Sequence, residues 1–146
     1  MPYPEYLTAP MRQELTDLGI RECRTAADVE DTLKSKGVVM MVVNSVCGCA
    51  AGKARPGIAM ALQHQNRPDV MASVFAGADL EATDRARQAF IGVPPSSPSI
   101  ALLRDGQLLY MIERRDIEVR SAQMIADILT MAFDKFCAPA EAIGNR

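Results

Sequence analysis

Little in this chain would carry it to a nucleic acid or a membrane. Its 146 residues hold 16 Lys and Arg against 18 Asp and Glu, a net charge of −2, so no basic excess favours a polyanion or an anionic lipid surface. No apolar run is long enough to span a bilayer, and the longest ends at Asn44. The opening Met1-Pro2-Tyr3-Pro4-Glu5 has neither a basic n-region nor an apolar h-region, and the expected location is the cytoplasm. There is no internal repeat, no low-complexity tract and a single histidine. Cysteine is also sparse, at four residues, Cys23, Cys47, Cys49 and Cys137. In a reducing compartment these do not make a structural disulfide framework, which leaves a catalytic pair or a metal site. The 49% hydrophobic and 23% charged content is that of a soluble globular protein with one ordinary core.

One stretch organises the rest. Val38-Val39-Met40-Met41-Val42-Val43 leads into Asn44-Ser45-Val46-Cys47-Gly48-Cys49-Ala50-Ala51-Gly52. The apolar run shows no alternation, so as a strand it is covered on both faces and belongs in the centre of a sheet, with parallel neighbours. An Ala-rich helical segment follows. Two thiols therefore stand where a buried strand hands over to a helix, whose N-terminus offers unpaired N–H groups and a partial positive charge. Both favour the thiolate, the nucleophilic form. Gly48 is expected to let the backbone turn there.

Around this centre the pattern reads helix, helix, strand, helix, strand, helix, strand, strand, helix. Residues 1–8 are expected to be extended. Pro10 suits the first turn of a helix with Leu7, Met11, Leu15 and Leu18 on one face. Thr25 N-caps a helix to about Lys36 with Ala26, Val29 and Leu33 inward, and Glu30 pairs with Lys34. After the cysteines, Ala51, Ala54, Ile58, Ala61 and Leu62 fit a helix that Pro56 should kink. Val70 to Phe75 is a strand, and Asp79 caps a helix with Ala82, Ala86, Ala89 and Phe90 inward. Asp105-Gly106 joins two strands in a hairpin. Ser121 caps a last helix with Ile125, Ile128, Leu129, Ala132 and Phe136 inward, and residues 138–146 read as a frayed tail behind a single domain spanning 1–137. The result is an α/β fold, a mixed central sheet with helices on both faces.

Two chemistries fit the cysteine pair. In dithiol exchange, Cys47 attacks a disulfide and Cys49, half a turn on, resolves the mixed disulfide. A Cys47–Cys49 bond closes a very small ring at the strained end of disulfide geometry, so it is expected to be oxidising and easily reduced. Lys53 and Arg55 are candidates for lowering a thiol pKa or, with Ser97, for holding a thiol substrate. The rival is a four-thiolate site with Cys23 and Cys137, but structural zinc pairs are usually spaced by two to four residues and the other two cysteines are isolated. A redox-sensing module without exchange catalysis is a further class. Cys137 is either an ordinary thiol or a reserve for the pair, Cys23 an ordinary thiol. His64 reads as a surface or helix-end residue. Arg114, Arg115 and Arg120, mixed with Glu113, Asp116 and Glu118, read as a solvated face. Pro98 reads either as the start of an edge strand or as a cis proline beside the cysteines.

The order of elements resembles the thioredoxin fold. Asn44-Ser45-Val46-Cys47-Gly48-Cys49-Ala50-Ala51-Gly52, Ala54-Arg55-Pro56, Val74-Phe75-Ala76-Gly77 and Pro95-Ser96-Ser97-Pro98-Ser99 resemble the bacilliredoxin family over about residues 3 to 137. That resemblance implies a cytosolic thiol–disulfide oxidoreductase that removes bacillithiol, a low-molecular-weight thiol, from mixed disulfides on other proteins, and that can isomerise disulfides. Cys47 then matches the attacking cysteine, Cys49 the resolving one and Pro98 the cis proline, with Gly48 in support. It implies no bound cofactor, bacillithiol as co-substrate, and free thiol or a disulfide reductase for recycling. The Cys-x-Cys spacing departs from the thioredoxin Cys-x-x-Cys, and Cys23 has no counterpart in the pattern.

Overall fold

The structure, a computed structural model, describes residues 2–137; the expected tail lies outside the described residues. Among these the chain runs α1 (Glu5–Thr16), β1 (Arg21–Glu22), α2 (Ala26–Leu33), β2 (Val38–Asn44), a π-helical turn (Ala50–Ala54), α3 (Arg55–Ala61), β3 (Val70–Phe75), α4 (Leu80–Gln88), β4 (Ser99–Arg104), β5 (Gln107–Ile112), α5 (Arg114–Glu118) and α6 (Ala122–Phe136). The sheet order is β1-β3-β2-β4-β5. β2 is central, parallel to β3 and antiparallel to β4. Every residue of β2 is buried, because its two faces serve two cores. Val38, Met40 and Val42 pack with Leu15, Ile58, Ile125, Leu129 and Phe133 of α1, α3 and α6. Met41 and Val43 pack with Val29, Leu33, Ala82 and Ala86 of α2 and α4. No membrane-crossing helix is found among the described residues.

Several boundaries follow local chemistry. The Thr25 hydroxyl accepts from Asp28 N–H while the Asp28 carboxylate accepts from the Thr25 N–H, a full capping box. Ser121 accepts from Met124 N–H at the start of α6. Asp105 and Gly106 both take positive φ, 53° and 74°, as a two-residue hairpin of this kind requires. α3 lies so close to α6 that a Cβ at Gly57 would stand 2.8 Å from Ile125 Cγ2.

Other expectations need correction. α1 starts at Glu5, so residues 5–8 are helical and Pro10 lies in the helix interior, opposite the carbonyl of the exposed Tyr6. Its inward residues are Thr8, Arg12 and Leu15, while Leu7 is exposed. Arg12 points inward because it meets Asp79 in a buried two-pronged ion pair of 2.8 and 2.9 Å. An apolar-stripe reading cannot see a buried charge that is paired across the fold. Asp79 precedes α4 but does not cap it, since its carboxylate turns back to Arg12 and the Phe75 N–H. Glu30 pairs with Arg85 across α2 and α4, not with Lys34. β1, two residues long, and α5, one turn and a fraction, were too short to show a period. β4 is flanked on both sides, so Pro98 does not open an edge strand.

Candidate functional site

β2 ends at Asn44 and the next helical residue is Gly48. Cys47 stands between, as the residue whose carbonyl receives the first helical N–H groups, from Ala50 (3.1 Å) and Ala51 (3.3 Å). The helix then widens into the π turn before resuming at Arg55, with Pro56 at the start of α3. Pro56 has no N–H to offer, and the irregular turn is the form its disturbance takes. The turn also shifts the inward set, so that Ala50 is buried and Ala51 exposed.

All four cysteines are thiols, and their surroundings differ. At Cys47, burial pushes the thiol up. This is outweighed by the Ala50 N–H, the Ser45 hydroxyl, the Cys49 N–H and the charge of Arg114, and the net shift is downward. Cys47 thus has the microenvironment of a reactive cysteine. Burial pushes Cys23 up against the opposing Thr32 hydroxyl, and burial with Asp69 pushes Cys137 up to about 11. Cys49 is half-buried against the α3–α6 core.

The cation that acts on Cys47 is Arg114, at the start of α5, although the mixed charges around it in the sequence read as a solvated face. Its guanidinium donates to the Ser97 carbonyl (3.2 Å) and to Glu118 (2.7 Å), and its backbone N–H donates to the Ser96 hydroxyl. The Ser97–Pro98 peptide bond is cis. Ser99 faces Val43 in the β2–β4 register, so Pro98 and Ser97 lie at the end of the sheet where β2 delivers the cysteines. Arg114 therefore ties the proline loop to the cysteine turn. Nothing in the local pattern of alternating charges distinguishes it from Arg115; only the pairing of β4 with β2 brings it there.

The remaining candidates divide. Lys53 is half-buried and donates to the Glu118 carbonyl at 2.5 Å. Arg55 is 3% exposed and turned into the fold, donating to the Asn44 side-chain oxygen (2.9 Å) and the Ser45 carbonyl (3.0 Å). Neither is among the groups that lower the Cys47 thiol, one of the two roles for which the sequence makes them candidates. Gly48 does not take a positive φ, so the turn does not need glycine. What Gly48 and Gly52 provide is exposed, open space beside the thiol. Cys137 cannot back up the pair. It feels Asp69 and Arg104, which hold the Val38 end of β2, seven residues or roughly 20 Å from the cysteine end. His64 joins the end of α3 to Asp134 of α6 at 2.7 Å. Cys23 lies under α2, and among the described residues no group of three or more His, Cys, Asp or Glu is placed to hold a metal ion.

Comparison with known proteins agrees with this geometry. The profile of the disulphide isomerase family matches residues 3–137. A bacilliredoxin of Koribacter versatilis is 58% identical over 92% of this chain and 94% of its own length. Bacilliredoxins of Salinibacter ruber and Geobacillus kaustophilus are 49% and 46% identical, over 97% and 94% of this chain and 85% and 98% of their own lengths. Among solved structures, oxidised thioredoxin of Plasmodium falciparum superposes with a TM-score of 0.57 at 12% identity, covering 82% of this chain and 99% of its own. Mitochondrial thioredoxin 3 of Saccharomyces cerevisiae gives 0.54 at 17%, over 80% and 95%. The fold is thioredoxin-like, and the chain belongs to the bacilliredoxin family of thiol–disulfide oxidoreductases.

Proposed function

We propose that the protein removes bacillithiol from mixed disulfides on other proteins in the cytoplasm, with Cys47 attacking and Cys49 resolving. The observation that carries the reading is the lowered Cys47 thiol at a helix N-terminus, beside Arg114, with open surface at Gly48 and Gly52. The choice of bacillithiol is supported by the bacilliredoxin relatives. In the first step the Cys47 thiolate attacks the bacillithiol sulfur of protein–S–S–bacillithiol. The protein leaves as a thiolate and takes up a proton, and Cys47 carries bacillithiol. In the second, the Cys49 thiolate attacks Cys47 Sγ, the bacillithiol thiolate leaves, and a Cys47–Cys49 disulfide remains. Free bacillithiol or a disulfide reductase supplies the two electrons that restore the dithiol. Lys53 and Ser97 are the candidates for holding the bacillithiol moiety. The open surface at Gly48 and Gly52 suits a protein substrate better than an enclosed cleft would.

The test is intact mass of Cys49→Ala after incubation with bacillithiol disulfide, with glutathione disulfide in parallel. A single bacillithiol adduct on Cys47, formed much faster than the glutathione adduct, is expected. Equal rates would remove the specificity, and no adduct would remove the mechanism. A second reading, disulfide isomerisation by the same pair, is favoured by the description of the matching family. It requires a Cys49→Ala protein that still rescues a scrambled disulfide protein, because isomerisation needs only the attacking thiol.

A further inference from the structure

Behind the cysteines lies a buried polar chain that the exchange scheme does not use. Arg55 Nη1 donates both to the Asn44 side-chain oxygen and to the Ser45 carbonyl. The same Asn44 oxygen accepts the Ser45 N–H at 2.9 Å. Ser45 is therefore held at its N–H and at its carbonyl by one guanidinium and its partner. The Ser45 hydroxyl oxygen accepts the Cys47 N–H at 3.2 Å, and the Ser45 side chain is one of the groups that lower the Cys47 thiol. Asn44 is fixed in turn by donating its amide to the Met11 carbonyl at 3.2 Å. Arg55 Nε lies 3.1 Å from the Glu14 carboxylate of α1 without an in-line hydrogen bond, and is otherwise sealed from water.

A buried arginine is costly unless its geometry is used. This one is spent on the residue that touches the nucleophile. We propose that Arg55 is a positioning residue for the exchange reaction, holding Ser45 at both ends so that its hydroxyl takes the Cys47 N–H and fixes the thiol at the helix N-terminus. Ser45 is then a second positioning residue, acting through the Cys47 backbone, and Glu14 orients Arg55 from the N-terminal helix. This rests on Cys47 being the attacking thiol. The charged group acting directly on Cys47 is Arg114 of α5, whose own shift also registers Cys49. Lys53 is held at Glu118, and among the described residues Glu14 alone forms an ion pair with Arg55. Arg114 is bonded to Ser96, Ser97 and Glu118, none of them in the buried chain.

The test is the pH profile of iodoacetamide labelling at Cys47, read by peptide mass, in the full chain. Ser45→Ala should label about three- to tenfold more slowly at pH 7, the scale of one hydrogen bond, with its profile moved to higher pH. Arg55→Met should match it, and Arg55→Lys, whose single ammonium can still meet the Ser45 carbonyl, should fall between. In a Ser45→Ala background the Arg55 substitution should change the rate less than twofold, because its route to Cys47 is gone. Protection of the buried Cys23 and Cys137 reports an intact fold; where Arg55→Met exposes them, Arg55→Lys is read instead. A Ser45→Ala profile that superposes on the parent's overturns the proposal. So does an Arg55 effect of equal size in both Ser45 backgrounds, which would mark a general structural role. An unmutated protein whose Cys47 labels no faster than Cys23 would overturn the assignment of the attacking thiol instead.

Discussion

Replacing Asp79 by Ala tests whether the N-terminal helix is locked to the sheet by one buried ion pair. Asp79 accepts both Arg12 Nη1 and Nη2, and it also receives the Phe75 N–H at 3.2 Å. Arg12 is 7% exposed and its guanidinium sits 5.0 Å from the centre of the Phe75 ring. Removing the carboxylate leaves a buried cation and a backbone donor without their acceptor. Breaking a buried pair from one side costs about 3–5 kcal/mol. Glu22 and Glu5 stand 3.8 and 3.9 Å from the guanidinium and can partly take over, so the lower end applies, about 3 kcal/mol. For a chain of this length that lowers Tm by about 10 °C. Urea unfolding should show the same loss in midpoint with an unchanged slope. Asp79→Asn, which keeps an acceptor but not the charge, should lose about half as much. Arg12→Met combined with Asp79→Leu should recover most of the loss, because an apolar pair leaves no orphan. A loss under about 1 kcal/mol for Asp79→Ala, or a double variant no better than the single one, would refute the reasoning.

Three more outcomes are expected. Gly57→Ala drives a Cβ against Ile125 and the Ala122 carbonyl; overpacking outweighs the gain in helix propensity and leaves a net loss of about 1 kcal/mol by thermal unfolding. Arg114→Gln should slow Cys47 labelling at pH 7 by about two- to fivefold at low salt. The deficit should shrink in 1 M salt, because the guanidinium is 43% exposed. Cys137 ionises near its ordinary value of 9.0 when unfolded and near 11 when folded. Between these values the folded chain keeps a proton the unfolded chain has lost, so stability falls as pH rises through that window. Cys137→Ala should flatten the fall by roughly 2 kcal/mol, as measured by urea titrations at pH 8 and pH 11.

The parts that sequence discloses are those governed by local rules. Val38 to Val43 reads as a doubly covered strand because an unbroken apolar run has no polar face to expose. Thr25, Ser121 and Asp105-Gly106 mark caps and a turn through their own side chains and φ preferences. Cys47 is legible because a thiol at a strand-to-helix junction meets helix N–H groups whatever else surrounds it. What escapes depends on contacts between distant residues. Arg12, Asp79 and Arg55 look like surface charges until their partners, far along the chain, are placed beside them. Arg114 belongs to the site only because β4 and β5 return along β2. Gly48 illustrates the opposite error: a glycine assigned to a turn has no unusual φ, and its contribution is the space it leaves open.

The central claim is that Cys47 is the attacking thiol, and relative labelling of all four cysteines in one native sample tests it most directly. The protein would be reduced, exposed to a substoichiometric alkylating agent at pH 7 and mapped by peptide mass. The account predicts that Cys47 labels first, and that Cys23 and Cys137, buried with raised thiols, label last. Faster labelling of Cys49, or four comparable rates, would contradict it.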